Sequence, residues 1–89
     1  MKQSFYERKT TRVASNEKAS IKFYRSETAI QCIIKNVSEG GAKLSFAYPI
    51  HIDLLFQLIH ADGQNQHCRT IWIGGNEAGV QFINAPLGV

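Results

Sequence analysis

The chain has two cysteines, two prolines, one methionine and one tryptophan among its 89 residues, and each scarcity excludes something. No apolar run approaches the roughly 18–20 residues that a helical membrane span needs. The first dozen residues are basic but lack the apolar stretch of a secretory leader, so the cytoplasm is the expected location. Cys32 and Cys68 lie in separate apolar segments, a pattern that predicts small buried thiols and no disulfide framework. His51, His60 and His67 show no zinc spacing, and no metal or cofactor is expected. Asp53 and Asp62 are isolated acids. With no Ser/His/Asp or Cys/His grouping and no phosphate loop, enzymatic activity is not expected.

What remains is an ordinary globular composition, 44% hydrophobic, 10% aromatic and 19% charged, in a length that suits one domain. The apolar residues alternate in short runs, which is the pattern of strands. Ser20–Tyr24 reads as the first strand. Residues 28–37 and 41–46 read as a hairpin, His51–His60 as a largely buried strand, and His67–Ile73 and Ala78–Ile83 as the last two. In the fourth run Leu54, Phe56 and Leu58 share one face. The turns between them carry the residues that turns require: Asp62-Gly63, Gly74-Gly75-Asn76, and the break at Tyr48-Pro49. Six strands and no helical segment predict an all-β, six-stranded antiparallel barrel, whose closure removes exposed edges. Trp72, Phe56, Phe46 and Phe82 are the expected core anchors. Residues 1–18, polar and aperiodic, read as a flexible arm, 19–84 as the barrel, and 85–89 as a short tail.

Two stretches carry more polarity than a scaffold needs. Asn36-Val37-Ser38-Glu39-Gly40-Gly41 joins two apolar strands, and its glycines can take φ > 0 at no steric cost. Polar side chains beside bare backbone also make a docking place for an anionic or heterocyclic ligand. The other stretch is Arg8-Lys9-Thr10-Thr11-Arg12. The net charge of +3 conceals an asymmetry, since residues 1–25 hold seven basic side chains against Glu7 and Glu17, while the remainder is net acidic. An anionic partner should therefore meet the N-terminal end.

Together, Arg8-x-x-x-Arg12 and Asn36-x-Ser38-x-x-Gly41 resemble the paired signature of the PilZ domain, a bacterial family. Cys68-Arg69-Thr70-Ile71-Trp72 and Gly79-Val80-Gln81-Phe82 are similar to its last two barrel strands. The resemblance covers roughly Glu7 to Ile83. It implies a receptor for cyclic di-GMP that signals to a partner protein. Its ligand residues would be Arg8, Lys9 and Arg12 on the arm, with Asn36, Ser38, Gly40 and Gly41 on the barrel. The chemistry fits: arginine can grip phosphate in a bidentate fashion or read the O6 and N7 of guanine. Asn36 offers a donor and an acceptor to a base edge, and Ser38 a hydroxyl. Two positions depart from the common pattern. Lys9 stands where many relatives have a second arginine, and Val13-Ala14-Ser15 follows Arg12 where many have a proline. Two other readings compete: a PilZ-like adaptor working by protein contacts alone, and a small basic barrel that binds nucleic acid. Against the second, no aromatic ladder interleaves with the basic residues.

Overall fold

The computed structural model describes residues 13–84, in which six antiparallel strands close into a barrel. They are β1 (Val13–Phe23), β2 (Ala29–Val37), β3 (Gly41–Ser45), β4 (Leu55–His60), β5 (Asn65–Gly74) and β6 (Glu77–Ile83). Around the barrel the order is β1-β2-β3-β6-β5-β4, and β4 pairs with β1 to close it. The all-β architecture expected from the alternating runs is the one observed.

Alternation places the core. Ile21, Ile34, Leu44, Phe56, Leu58 and Cys68 are fully buried, and Ala19, Cys32, Ala42 and Ala78 occupy the inward positions between them. Six strands enclose a narrow bore, so large side chains from some strands must face small ones from others. Phe23, Ile30, Val37, Ile50 and Phe82 pack around this centre and complete it.

The turns obey local chemistry. Gly63 has φ +93° and its N–H donates to the His60 carbonyl at 2.9 Å, while Asp62 Oδ1 accepts from Gln64 N–H at 3.0 Å. Gly75 has φ +59° in the two-residue connection between Gly74 and Glu77. Among the described residues these two, and not Gly40 or Gly41, are the glycines in the left-handed region. Beyond the end of β1, Arg25 makes a two-pronged pair with Asp53, each contact 2.9 Å, and His51 lies 3.5 Å from the same carboxylate.

Four expectations need correction. The first strand begins at Val13, so residues 13–18, assigned to the arm, already pair with β2. Its alternation is hidden by an extra residue between Ala14 and Glu17, opposite Asn36 and Ile34. The fourth strand begins at Leu55 instead of His51. The chain must pass the ends of β6 and β5 to travel from β3 to β4, and residues 46–54 are spent on that crossing. Phe46 and Ile52 are buried along it, and Thr70 fixes it by taking the Asp53 and Leu54 carbonyls at 2.9 and 2.8 Å. Leu54 is left exposed by the same path. Trp72 is not a core anchor but stands outside, because β5 slips register between Thr70 and Trp72. Phe46 and Phe56 are buried as expected.

Both cysteines are free and buried. Burial pushes the Cys32 thiol up to about 12, and burial likewise raises Cys68 to about 12 against a backbone hydrogen bond at Leu58 that opposes it. A thiol held neutral in this way stabilises the fold fully below its unfolded pKa of about 8.5, and the contribution fades as pH rises through the folded value. Urea denaturation should accordingly show stability falling between about pH 9 and 12, and less steeply in the Cys32→Ala/Cys68→Ala double variant. An unchanged slope in that variant would contradict this account of the thiols.

Candidate functional site

Three of the strand pairings slip register, and the slips line up. On β2, Lys35 is an extra residue, so Ile34 faces Leu44 but Asn36 faces Lys43. On β5, Ile71 is extra, so Thr70 lies opposite Val80 but Trp72 lies opposite Gly79. On β1 the extra residue falls just after Ala14, which is opposite Asn36. Lys43 and Gly79 are themselves partners. One row therefore crosses five strands: Ala14, Asn36, Lys43, Gly79, Trp72. Bulges re-aim the side chains beside them. The bulged stretches also bind each other, since Lys35 Nζ donates to Asn16 Oδ1 at 2.9 Å.

From Asn36 to Trp72 the row lies on the outer wall, because Ala42, Leu44, Ala78 and Val80 on either side of it are buried inside. Without the extra residue at Ile71, Trp72 would share the inward parity of Cys68. With it, the indole turns out and lies against Gly79. A Cβ built on Gly79 would stand 2.0 Å from the indole Nε1, so glycine is what lets the ring settle there. Asn36, Lys43, Trp72 and Gly79 enclose a depression of about 190 Å³. Lys43 is 3.9 Å from Glu77, and Arg69 Nη2 donates to Gln81 Oε1 at 2.7 Å two residues along β6 from Gly79. The wall thus offers an amide, an aromatic face and the Lys43 cation around one small hollow. That hollow is below the roughly 300–1,000 Å³ usual for a complete small-molecule pocket.

The sequence-predicted residues divide into three groups. Asn36 lines the hollow. Ser38 and Gly40 belong to the loop beside it, where Ser38 N–H donates to the Gly41 carbonyl at 2.8 Å and Gly40 accepts from Phe82 N–H at 2.9 Å. The Ser38 hydroxyl donates to the same Gly41 oxygen, at 3.5 Å. Gly41 is buried, and an added Cβ would stand 2.2 Å from the Val80 carbonyl oxygen. Its glycine is thus required by the approach of β6. Arg8, Lys9 and Arg12 lie outside the described residues. Val13, directly after Arg12, is paired with Val37, in the middle of Asn36-Val37-Ser38. The described part of β1 thus begins beside that loop.

Sequence reasoning missed Lys43, Trp72 and Gly79 as neighbours of Asn36, because the slipped registers bring Asn36 and Trp72 to the paired Lys43 and Gly79. A larger hollow, about 610 Å³, opens elsewhere among Ala19, Cys32, Phe46 and His60, but it contains none of the sequence-predicted residues. Its size carries less weight than the convergence of polar groups at the smaller one. Among the described residues no cluster of His, Cys, Asp and Glu suits a metal ion, and no helix is long and apolar enough to cross a membrane.

The barrel is closed and six-stranded, and its wall presents this hollow close to the start of β1. The profile of the PilZ domain matches residues 6–88, and the chain belongs to the PilZ domain family. That family is one of cyclic di-GMP-binding receptors and adaptors, not of enzymes. The fold is similar to the crystal structure of the PilZ domain of CeSA from a cellulose-synthesizing bacterium. That similarity has a TM-score of 0.69 at 14% identity and covers 88% of this chain and 85% of that one. No curated protein sequence matches the chain.

The two glycines should separate structure from surface. Gly41→Ala drives a methyl into backbone that cannot swing aside, and should cost about 2 kcal/mol or more in urea denaturation. Gly79→Ala should displace only the indole, shifting the emission of the single tryptophan with a loss under about 1 kcal/mol. Equal losses of stability in both would contradict this division.

Proposed function

We propose that this chain is a cyclic di-GMP receptor in which the arm and the outer wall close on one ligand. Arg8 and Arg12 take phosphate oxygens or guanine edges, and Lys9 adds charge without the planar fork. Asn36 pairs with a base edge, the indole of Trp72 supports a base face, and Lys43 offsets phosphate charge. Ser38, Gly40 and Gly41 shape the loop on which the ligand rests. The observation that carries this reading is the pairing of Val13 with Val37. That pairing sets the residue after Arg12 beside the Asn-x-Ser loop, which supports a joint role for two motifs that are far apart in sequence. The size of the hollow supports it as well, because a cyclic dinucleotide needs walls that the described barrel alone does not supply.

A ligand held between arm and wall also gives a mechanism. Fixing the arm against the barrel changes the surface that a downstream protein meets, with the ligand contributing only its differential affinity for the closed arrangement. We assign the signal to that change, received by a partner protein, in a soluble cytoplasmic setting.

Calorimetric titration of cyclic di-GMP into Arg8→Ala, Arg12→Ala and Lys2→Ala tests the assignment. Direct arginine contacts are charge-assisted hydrogen bonds worth about 1.5–3 kcal/mol, or roughly ten- to a hundredfold in affinity for each arginine. Lys2→Ala, of equal charge, should cost about threefold or less. Melting temperatures should stay the same in all three. Arginine variants that bind within about threefold of the parent would remove the function assigned here and leave the fold untouched.

A further inference from the structure

The larger hollow, about 610 Å³, lies on the outside of the barrel. Three of its lining residues, Ala19, Cys32 and Phe46, are buried with their side chains in the core. Their immediate neighbours in sequence also line it, whereas the core residues two positions away, Ile21, Ile34 and Leu44, do not. Alternation along each strand turns those immediate neighbours outward. They fall in two rows, because Ile33 pairs with Ser45 and Lys18, and Ser20 with Gln31 and Ile59. Ala61 continues the first row on β4, and Ala47 continues the second past β3. The hollow is thus a trough laid across β3, β2, β1 and β4. Rows two residues apart are separated by about 7 Å, and three inter-strand spacings make a length of about 14 Å. Spread over that footprint, 610 Å³ is a depth of about 6 Å.

This shape selects the occupant. A helix, about 10–12 Å across with its side chains, is too wide to enter. An extended peptide fits the width, but the backbone beneath it is already spent on the β1–β2, β2–β3 and β1–β4 ladders. The peptide's own N–H and C=O groups would be covered without partners, a cost that an alkyl chain does not carry. Ile33 and Ile59 stand on opposite walls, and the alanines leave both ends open. The charge is of one sign. Lys18 is exposed on the β1 wall, and no acid lines the trough. His60 is already engaged, its ring nitrogens 3.4 Å from Glu17 and 2.8 Å from Gln66. Beyond the two ends, Asp62 accepts from the Gln64 N–H and Glu77 lies 3.9 Å from Lys43.

We propose that the trough binds one medium-chain fatty acid, its alkyl chain across the strands and its carboxylate at Lys18. An extended alkyl chain advances about 1.25 Å per carbon at ordinary bond lengths and angles, so the trough suits about eleven carbons and a head group. The flexible stem of Lys18 lies along the wall and brings its ammonium to the head. The inference is independent of the nucleotide reading, since none of Asn36, Lys43, Trp72 and Gly79 lines the trough.

Calorimetric titration of the full chain with sodium dodecanoate, decanoate and octanoate, below their micelle concentrations and without nucleotide, tests the proposal. Dodecanoate should bind as one molecule per chain with a Kd below about 1 mM. A chain half-buried in an open trough loses about twofold in affinity per carbon removed, so octanoate should bind roughly sixteenfold more weakly. Ile33→Thr/Ile59→Thr keeps β-branched residues on both strands, and should weaken dodecanoate about fivefold with folding intact. Lys18→Glu should weaken dodecanoate and tighten dodecyltrimethylammonium, each by about threefold or more. No binding of dodecanoate by about 1 mM overturns the proposal, as does an affinity indifferent to chain length or to the double threonine change. Uptake of many molecules without saturation is detergent-like and overturns it too. An unchanged preference between the two head groups in Lys18→Glu overturns the placement of the carboxylate. Protein that sediments with anionic phospholipid vesicles but ignores dodecanoate has a membrane-docking face in place of this site.

Discussion

Closing six strands around a bore this narrow forces backbones together, and the tightest meeting is between β3 and β6. At Gly41 the Val80 carbonyl oxygen occupies the space that any side chain would need. That contact fixes where β3 sits, and the opposite pairs along it place Lys43 against Gly79 and Leu44 against Ala78. The small residues on the inner face have the same origin. Ala42, Ala78 and Ala19 let Phe56, Leu44, Ile21 and Ile34 fill the centre without strain, at the density that protein interiors require.

The same closure creates the surface hollow. Three strands carry extra residues beside one row, and each such bulge bends and twists the strand that holds it. Each extra residue reverses the parity of the residues after it. Lys35 and Ile71 thereby bring Asn36 and Trp72 to the outer wall, on either side of Lys43 and Gly79. Fold and surface are thus coupled through register: the bulges in the barrel wall also aim the side chains that line the hollow.

This is why the sequence was legible in some places and opaque in others. Strict alternation marked β2, β3 and β6 to within a residue, because Ile30, Cys32, Ile34, Ala42, Leu44, Ala78 and Val80 keep one parity within each strand. Asn36 and Ser38 stood out as too polar for a plain strand end, and the barrel places them beside the start of β1. Trp72 misled because an aromatic between two isoleucines reads as core, and nothing in a one-dimensional pattern marks an extra residue at Ile71. The start of β1 was hidden in the same way. Gly41 read as a turn glycine, since its partner, the Val80 carbonyl, is distant in sequence. Leu54 read as inward because the crossing from β3 to β4 is a property of topology and leaves no local signal.

The central claim is that the arm and the row from Asn36 to Trp72 form one ligand face. Amide and indole resonances tracked by two-dimensional NMR during titration with cyclic di-GMP test it most directly. The account predicts that Arg8, Arg12, Asn36, Ser38, Lys43, Gly79 and the Trp72 indole N–H shift together with one apparent affinity. Cys32, Phe46 and His60, at the larger hollow, should stay in place. Shifts confined to the neighbourhood of Cys32 and Phe46, with the row unmoved, would contradict it.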